Sequence, residues 1–358
     1  MWKSLKDRAE GVKEMKRMKT TEAVGQVLCH DITQIIPGVT KDAVFRKGHI
    51  IREEDIPVLL SVGKDSVYIW ENDETMMHEN DAAEVLYRMT ANEHMHPSDV
   101  KEGKIEAIAD TEGLLKVDRE KLKKVNAFGE MMIATRHGNT VVKKGDKLAG
   151  TRIIPLVIKK DKMQEAEKIC DGTPILKILP FTVKKAAIIT TGNEVYHGRI
   201  KDAFTPVIEQ KIAEFGAEMM FHEIFDDNDR KITDGCLRAI EAGADIVFCT
   251  GGMSVDPDDK TPFAIKNTGA EMISYGSPVL PGAMFLLSYY RKGDKVIPIC
   301  GLPGCAMYNR RTIFDLVLPR LMAADPVTAD ELASLGEGGL CLNCKVCTFP
   351  NCGFGKGW

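Results

Sequence analysis

The stretch Ala186-Ala187-Ile188-Ile189-Thr190-Thr191-Gly192-Asn193-Glu194 sets the reading of the chain. A short apolar run rich in small and β-branched residues, closed abruptly by a glycine, is the pattern of a strand buried on both faces of a parallel sheet. Working outward, strands are expected at 175–181, 218–225, 245–249 and 295–300, and helices at 161–170, 203–215, 230–242, 261–267 and 305–322. Strands alternating with helices at this spacing define an α/β fold, with helices packed on both faces of a parallel sheet. The expected division is a basic leader at 1–20, a smaller α+β region at 21–175, the α/β domain at 176–325 and a Gly/Cys-rich tail at 326–358. Within 21–175, strands are expected at 24–36, 66–70, 140–150 and 152–158, and helices at 81–92 and 118–128.

Composition narrows the class. The chain has 358 residues, 44% hydrophobic and 28% charged, with a formal net charge of -4. These values describe an ordinary globular protein with more than one core, and they give no basic face for nucleic acid. No apolar run approaches the roughly eighteen residues that span a bilayer. The first nineteen residues carry seven Lys or Arg and no apolar core of a signal peptide, so a cytoplasmic location is expected. Six of the ten cysteines (Cys29, Cys170, Cys236, Cys249, Cys300 and Cys305) are scattered through apolar segments and read as buried thiols. His78, His94 and His96 lack a surrounding Cys or carboxylate framework and read as ordinary side chains rather than metal ligands.

Three motifs follow expected strands. They are Thr191-Gly192-Asn193-Glu194, Thr250-Gly251-Gly252-Met253-Ser254 and Gly301-Leu302-Pro303-Gly304. Open α/β sheets bind ligands outside the carboxyl ends of their strands. Glycines let backbone approach a ligand, and free N–H groups at helix starts attract phosphate. Carboxylates converge on the same edge in sequence terms: Glu194, the Asp226-Asp227 pair and Asp258-Asp259. Acidic groups beside a phosphate pocket call for a bridging cation, for which Mg²⁺ is the natural choice.

In this order and spacing the three motifs resemble the molybdopterin-binding domain of the MoeA/gephyrin-type molybdopterin molybdotransferases, which related adenylyltransferases share. Ser277-Pro278-Val279 and Pro281-Gly282 are similar to the segment that precedes the family's Gly-Leu-Pro-Gly strand. The resemblance is specific over 175–325 and weaker over 20–160. It implies that Thr191, Gly192, Asn193, Thr250, Gly251, Gly252, Ser254, Gly301, Leu302, Pro303 and Gly304 hold molybdopterin or molybdopterin-AMP. It implies that Glu194, Asp226, Asp227 and Asp259 serve Mg²⁺-dependent AMP release as molybdate is inserted, with Glu194, Asp227 and Asp259 on the metal. Molybdoenzymes or other cofactor-pathway proteins would then be partners, and a homodimer is the family habit. The sequence departs from the family at Asp256-Pro257, where a glycine is expected, and at Cys305-Ala306, where Asn-Pro is expected. It also lacks the Ser-Ala-Met-Asp-Gly-Tyr segment that supplies the family's N-terminal aspartate. A carrier or sensor that binds the pterin without catalysis, and a pyrophosphatase relative sharing the domain, are the competing readings.

Two cysteine features stand apart. Cys305, read at the start of the 305–322 helix, is either a thiol of lowered pKa touching the ligand or a small residue filling a tight loop. At the C-terminus, Cys341-x2-Cys344-x2-Cys347-x4-Cys352 is dense enough to hold an iron–sulfur cluster of the [4Fe–4S] type or zinc, or else to form an unmetallated thiol tail. Gly336 and Gly338-Gly339 read as a hinge that leaves this tail mobile.

Overall fold

The computed structural model describes residues 16–36, 40–69, 73–257 and 259–357. Most of the basic leader, Trp70 and Asp258 lie outside the described residues.

The α/β domain is built on one six-stranded sheet. Its strands are β1 (Lys185–Thr191), β2 (Glu218–Phe225), β3 (Ile246–Thr250), β4 (Glu271–Tyr275), β5 (Leu286–Lys292) and β6 (Lys295–Leu302), in the spatial order β2-β1-β3-β6-β5-β4. Strands β2, β1, β3 and β6 run parallel, whereas β5 and β4 are antiparallel to their neighbours. The sheet is therefore mixed rather than wholly parallel. The reason lies at Gly293-Asp294, where Arg291-Lys292 and Lys295-Val296 pair across a tight hairpin, so the apolar run at 286–290 returns directly beside β6.

Alternation along each strand divides the core in two. Ala186, Ile188, Ile246, Phe248 and Cys300 face one layer. It contains the helices α2 (Phe204–Ala213) and α5 (Ile313–Met322). Ala187, Ile189, Val247, Cys249 and Ile299 face the other. It contains α3 (Asp229–Glu241) and α4 (Thr261–Asn267). Helices thus cover both faces, as the βα alternation requires. A short helix α1 (Asn193–Tyr196) directly follows β1. The expected helix at 305–322 is two elements: a 3-10 turn at Gly304–Met307, then α5, whose start is fixed by a Thr312–Asp315 capping box.

The N-terminal part contains two further hydrophobic clusters. One, around Leu28, Ile32, Ile51, Leu59 and Val67, belongs to a small α+β unit with paired strands Ile32–Ile36 and Thr40–Phe45 and a helix at Ile56–Ser61. Only Ile32–Ile36 of the expected 24–36 strand is regular; Val27 and Leu28 make isolated bridges instead. The other is centred on Leu86, Leu115, Ile133 and Leu148. It lies among a four-stranded sheet, a three-stranded sheet and the helices Glu79–Thr90, Arg119–Ala127 and Lys160–Cys170. The expected strand at 152–158 is interrupted, with Lys147–Ile153 and Val157–Lys159 in different sheets.

The tail is docked, which corrects the hinge reading. After helix α6 (Ala329–Ser334), Leu340 bridges Leu280, and Phe354 is buried in the same core layer as Phe314 and Val317. Gly339 and Gly357 sit where any Cβ would press on backbone oxygens, so these glycines serve close packing rather than a hinge. No helix among the described residues is long and apolar enough to cross a membrane.

Candidate functional site

Register places the three motifs together. Thr191 lies opposite Phe225, Thr190 opposite Thr250, and Thr250 opposite Leu302, so the ends of β2, β1, β3 and β6 form one edge. The chain leaves β1 toward the layer holding α2 and leaves β3 toward the layer holding α4. The crossovers diverge between these two strands, which makes Thr191 and Thr250 the switch point at which open α/β sheets form a crevice.

The loop after β3 is locked by backbone. Gly251 has φ +82°, and a Cβ there would collide with the Thr191 carbonyl oxygen. The Thr191 hydroxyl donates to the Thr250 carbonyl at 3.1 Å and lies 3.0 Å from the Thr261 hydroxyl, so the two loops are stitched at their roots. Tyr275 donates to the carbonyls of Met253 and Ser254, holding the loop's far side, while the Ser254 side chain is exposed. Met253 packs on Gly301, where it occupies the space of a side chain. Pro303 is buried, and Gly304 faces open space.

Thr250 is the anomaly. It is 0% exposed, yet its hydroxyl has no partner. The Asp226 Oδ1 atom shares that condition, while its other oxygen pairs with Lys231 at 2.8 Å. Buried polar atoms are almost always satisfied, so these two orphans mark the β2, β1 and β3 ends as the place in the domain whose polar groups call for an explanation.

The remaining carboxylates are placed as follows. Glu194 is exposed on α1 and folds over Gly192. Asp227 accepts from the Asn193 amide at 3.0 Å, and Asp259 accepts from the Asp256 amide at 3.0 Å. Among the described residues, no group of three or more His, Cys, Asp or Glu side chains is placed to hold a metal ion. Glu194, Asp227 and Asp259 thus stand at the loop ends without forming a three-carboxylate cage among the described residues, and Mg²⁺ commonly takes only one or two carboxylates together with water and phosphate.

Beside Thr250 lies a polar network that the sequence reading missed. The Thr190 hydroxyl donates to Asp202 at 2.9 Å and lies 3.1 Å from His222 Nε2, and Thr205 donates to the same Asp202 carboxylate at 2.6 Å. Burial works against charge on Asp202, but hydrogen bonds from Thr205, Thr190 and the Phe204 amide outweigh it and hold the carboxyl below its ordinary value. The signal in sequence was Asp202-x-x-Thr205 at the start of α2, a helix-start pattern that also reaches back to the strand.

Cys305 sits in the 3-10 turn, and burial pushes its thiol up. The activated-thiol reading is thereby overturned in favour of a residue filling a tight loop. The other scattered cysteines are buried. His78 bonds the Cys29 carbonyl and His96 pairs with Asp110, so the histidines serve separate structural roles.

A cavity of about 810 Å³ lies away from this edge, between the 112–143 region, α5 and the tail. A second, of about 240 Å³, is lined by Cys341, Cys344, Cys347 and Cys352.

Comparison with known proteins bears on the α/β domain as a whole. Residues 187–323 match the family described as "Probable molybdopterin binding domain", and residues 17–71 match a domain of unknown function (DUF8806). The chain thus carries a domain of the molybdenum-cofactor-biosynthesis type. A Bacillus cereus (strain B4264) protein described as competence-damage inducible is 30% identical over 129 residues, covering 36% of this chain and 30% of that one. The corresponding Bacillus subtilis (strain 168) protein is 32% identical over 85 residues, covering 24% of this chain and 20% of that one. The chain therefore spans less than a third of the length of these curated relatives. Among solved structures, the tungsten cofactor synthesizing protein MoaB from Pyrococcus furiosus is 20% identical, with a TM-score of 0.32 over 39% of this chain and 89% of that one. The protein CinA from Thermoplasma acidophilum is 17% identical, with a TM-score of 0.31 over 39% of this chain and 98% of that one.

Proposed function

We propose that this chain works in molybdenum-cofactor biosynthesis by binding molybdopterin at the edge formed by Thr191-Gly192-Asn193, Thr250-Gly251-Gly252 and Gly301-Leu302-Pro303-Gly304. The observation that carries the reading is the orphan Thr250 hydroxyl, fully buried at the switch point of a domain that matches the molybdopterin-binding family. The pterin ring and its phosphate offer the acceptors and donors such a hydroxyl lacks. The loop amides and glycines supply close backbone approach to phosphate.

Holding the pterin is favoured over inserting metal into it. Asp227 and Asp259 are engaged with backbone amides, and Asp226 is paired with Lys231. Among the described residues no three of these carboxylates stand together beside the loops as a ready ion cage. Molybdate insertion with AMP release is the finer reading to test, and pyrophosphate hydrolysis, the activity of a pyrophosphatase relative sharing the domain, is its competitor. The experiment incubates the full chain with molybdopterin-AMP, Mg²⁺ and molybdate and follows both retained pterin and free AMP. Retained pterin without AMP release is the expected result. Molybdate-dependent AMP release that Glu194→Gln abolishes would make the protein a molybdotransferase. The absence of both retention and release would overturn the proposal.

A further inference from the structure

The C-terminal cysteines form a site separate from the pterin loops. All four line one cavity of about 240 Å³, whose other walls include Leu342, Phe349 and Phe354. None is in a disulfide; Cys341 and Cys352 are half-buried, and Cys344 and Cys347 are exposed. The loop that carries them has almost no regular structure, yet its frame is fixed on every side. The Cys341 amide donates to the Leu280 carbonyl at 2.8 Å, and the Gly355 amide donates to the Gly338 carbonyl at 3.0 Å. Arg310 donates to the Lys345 carbonyl at 3.0 Å. Phe354 anchors the far end in the core. An irregular loop of four thiols tethered at both ends to the folded domain keeps its ligands near one another, which lowers the ordering cost of binding a metal centre.

Charge agrees with that reading. Arg310 donates to the loop's Lys345 carbonyl, and Arg311 stacks over Phe349 with 4.8 Å from guanidinium to ring centroid, so cationic side chains stand beside the loop that would carry a negatively charged thiolate centre.

The size of the space separates a cluster from a single ion. Zinc binds sulfur at about 2.3 Å, so four ligands to one ion must crowd together. The four cysteines here line a cavity of about 240 Å³, far more space than one ion fills. In a cluster each cysteine binds its own iron, and the sulfurs stand farther apart around a larger core. The Cys-x2-Cys-x2-Cys run followed by a later cysteine is a spacing in which such clusters are found, with the last interval here one residue longer than in the bacterial ferredoxin run.

We propose that Cys341, Cys344, Cys347 and Cys352 hold an iron–sulfur cluster against the loop that follows Gly301-Leu302-Pro303-Gly304. It does not depend on the pterin reading. The test uses the full chain, purified without oxygen and reconstituted with ferrous iron and sulfide, and measures bound iron, acid-labile sulfide, zinc and the electron paramagnetic resonance of the reduced protein. About four irons and four sulfides per chain are expected. Cys344→Ser and Cys347→Ser should each lose most of both while keeping the wild-type circular dichroism, and Cys170→Ala, far from the cavity, should retain them. One zinc per chain with no sulfide, or four free titratable thiols after reconstitution, would overturn the proposal. So would full iron content in both serine variants.

Discussion

Thr250 is the residue on which stability and function are expected to pull apart. Its hydroxyl is buried without a partner, and an unsatisfied buried group costs about 1–3 kcal/mol. Thr250→Val keeps the shape and removes the hydroxyl, so the ligand-free protein should gain about 1 kcal/mol in denaturant unfolding. A loss of stability instead would mean that the hydroxyl is already bonded in solution. Gly251→Ala works in the opposite sense. A side chain at φ +82° against the Thr191 carbonyl should cost about 3 kcal/mol or more, read as a lowered unfolding midpoint. Asp202 ties stability to pH. Its carboxyl is held below the ordinary value, so its contribution is present above the unfolded-state value and is lost as pH falls through the lower folded one. Asp202→Asn should therefore cost about 1–3 kcal/mol at neutral pH, with the gap to wild type closing in acid below about pH 4. A gap that stays constant across that range would show that the charge is not what stabilises the network.

At the scale of elements, the buried strand at 186–190 and the helices at 203–215, 230–242 and 261–267 were legible because each carries a strong period and a clear stop. What the sequence hid was direction. The run at 286–290 looks like any buried strand, and only the two-residue Gly293-Asp294 turn makes it pair antiparallel with β6. The motif residues were legible as loop glycines after strands. Thr190, Asp202, Thr205 and His222 were not, because their network joins β1, β2 and α2 through side chains that no local pattern links. Spacing likewise does not show that Asp227 and Asp259 accept from the amides of Asn193 and Asp256. The tail was misread for a related reason. Glycines signal flexibility in sequence, whereas Gly339 and Gly357 are small so that backbone can pack. The docking of this tail makes its own prediction. Phe354→Ala removes an aromatic ring from the core and should cost about 3–5 kcal/mol, with the segment after 335 becoming the first cut in limited proteolysis. A tail as protease-resistant as that of wild type would contradict the docked arrangement.

Across the whole molecule, the switch-point edge and the cysteine cavity are joined by one stretch of chain. Residues 301–311 run from the Gly301-Leu302-Pro303-Gly304 loop into the wall of the cysteine cavity, where Arg310 bonds the Lys345 carbonyl and Arg311 stacks on Phe349. The α/β domain thus presents a ligand edge at one end of β6 and anchors the tail with the residues immediately beyond it. The central claim concerns the first of these, and a calorimetric titration of the full chain with molybdopterin tests it most directly, with Thr250→Val run alongside. Saturable binding that the variant weakens about tenfold, the equivalent of one lost hydrogen bond, is the predicted result. No heat of binding to the wild-type protein, or equal affinity in a variant that is more stable without ligand, would contradict it.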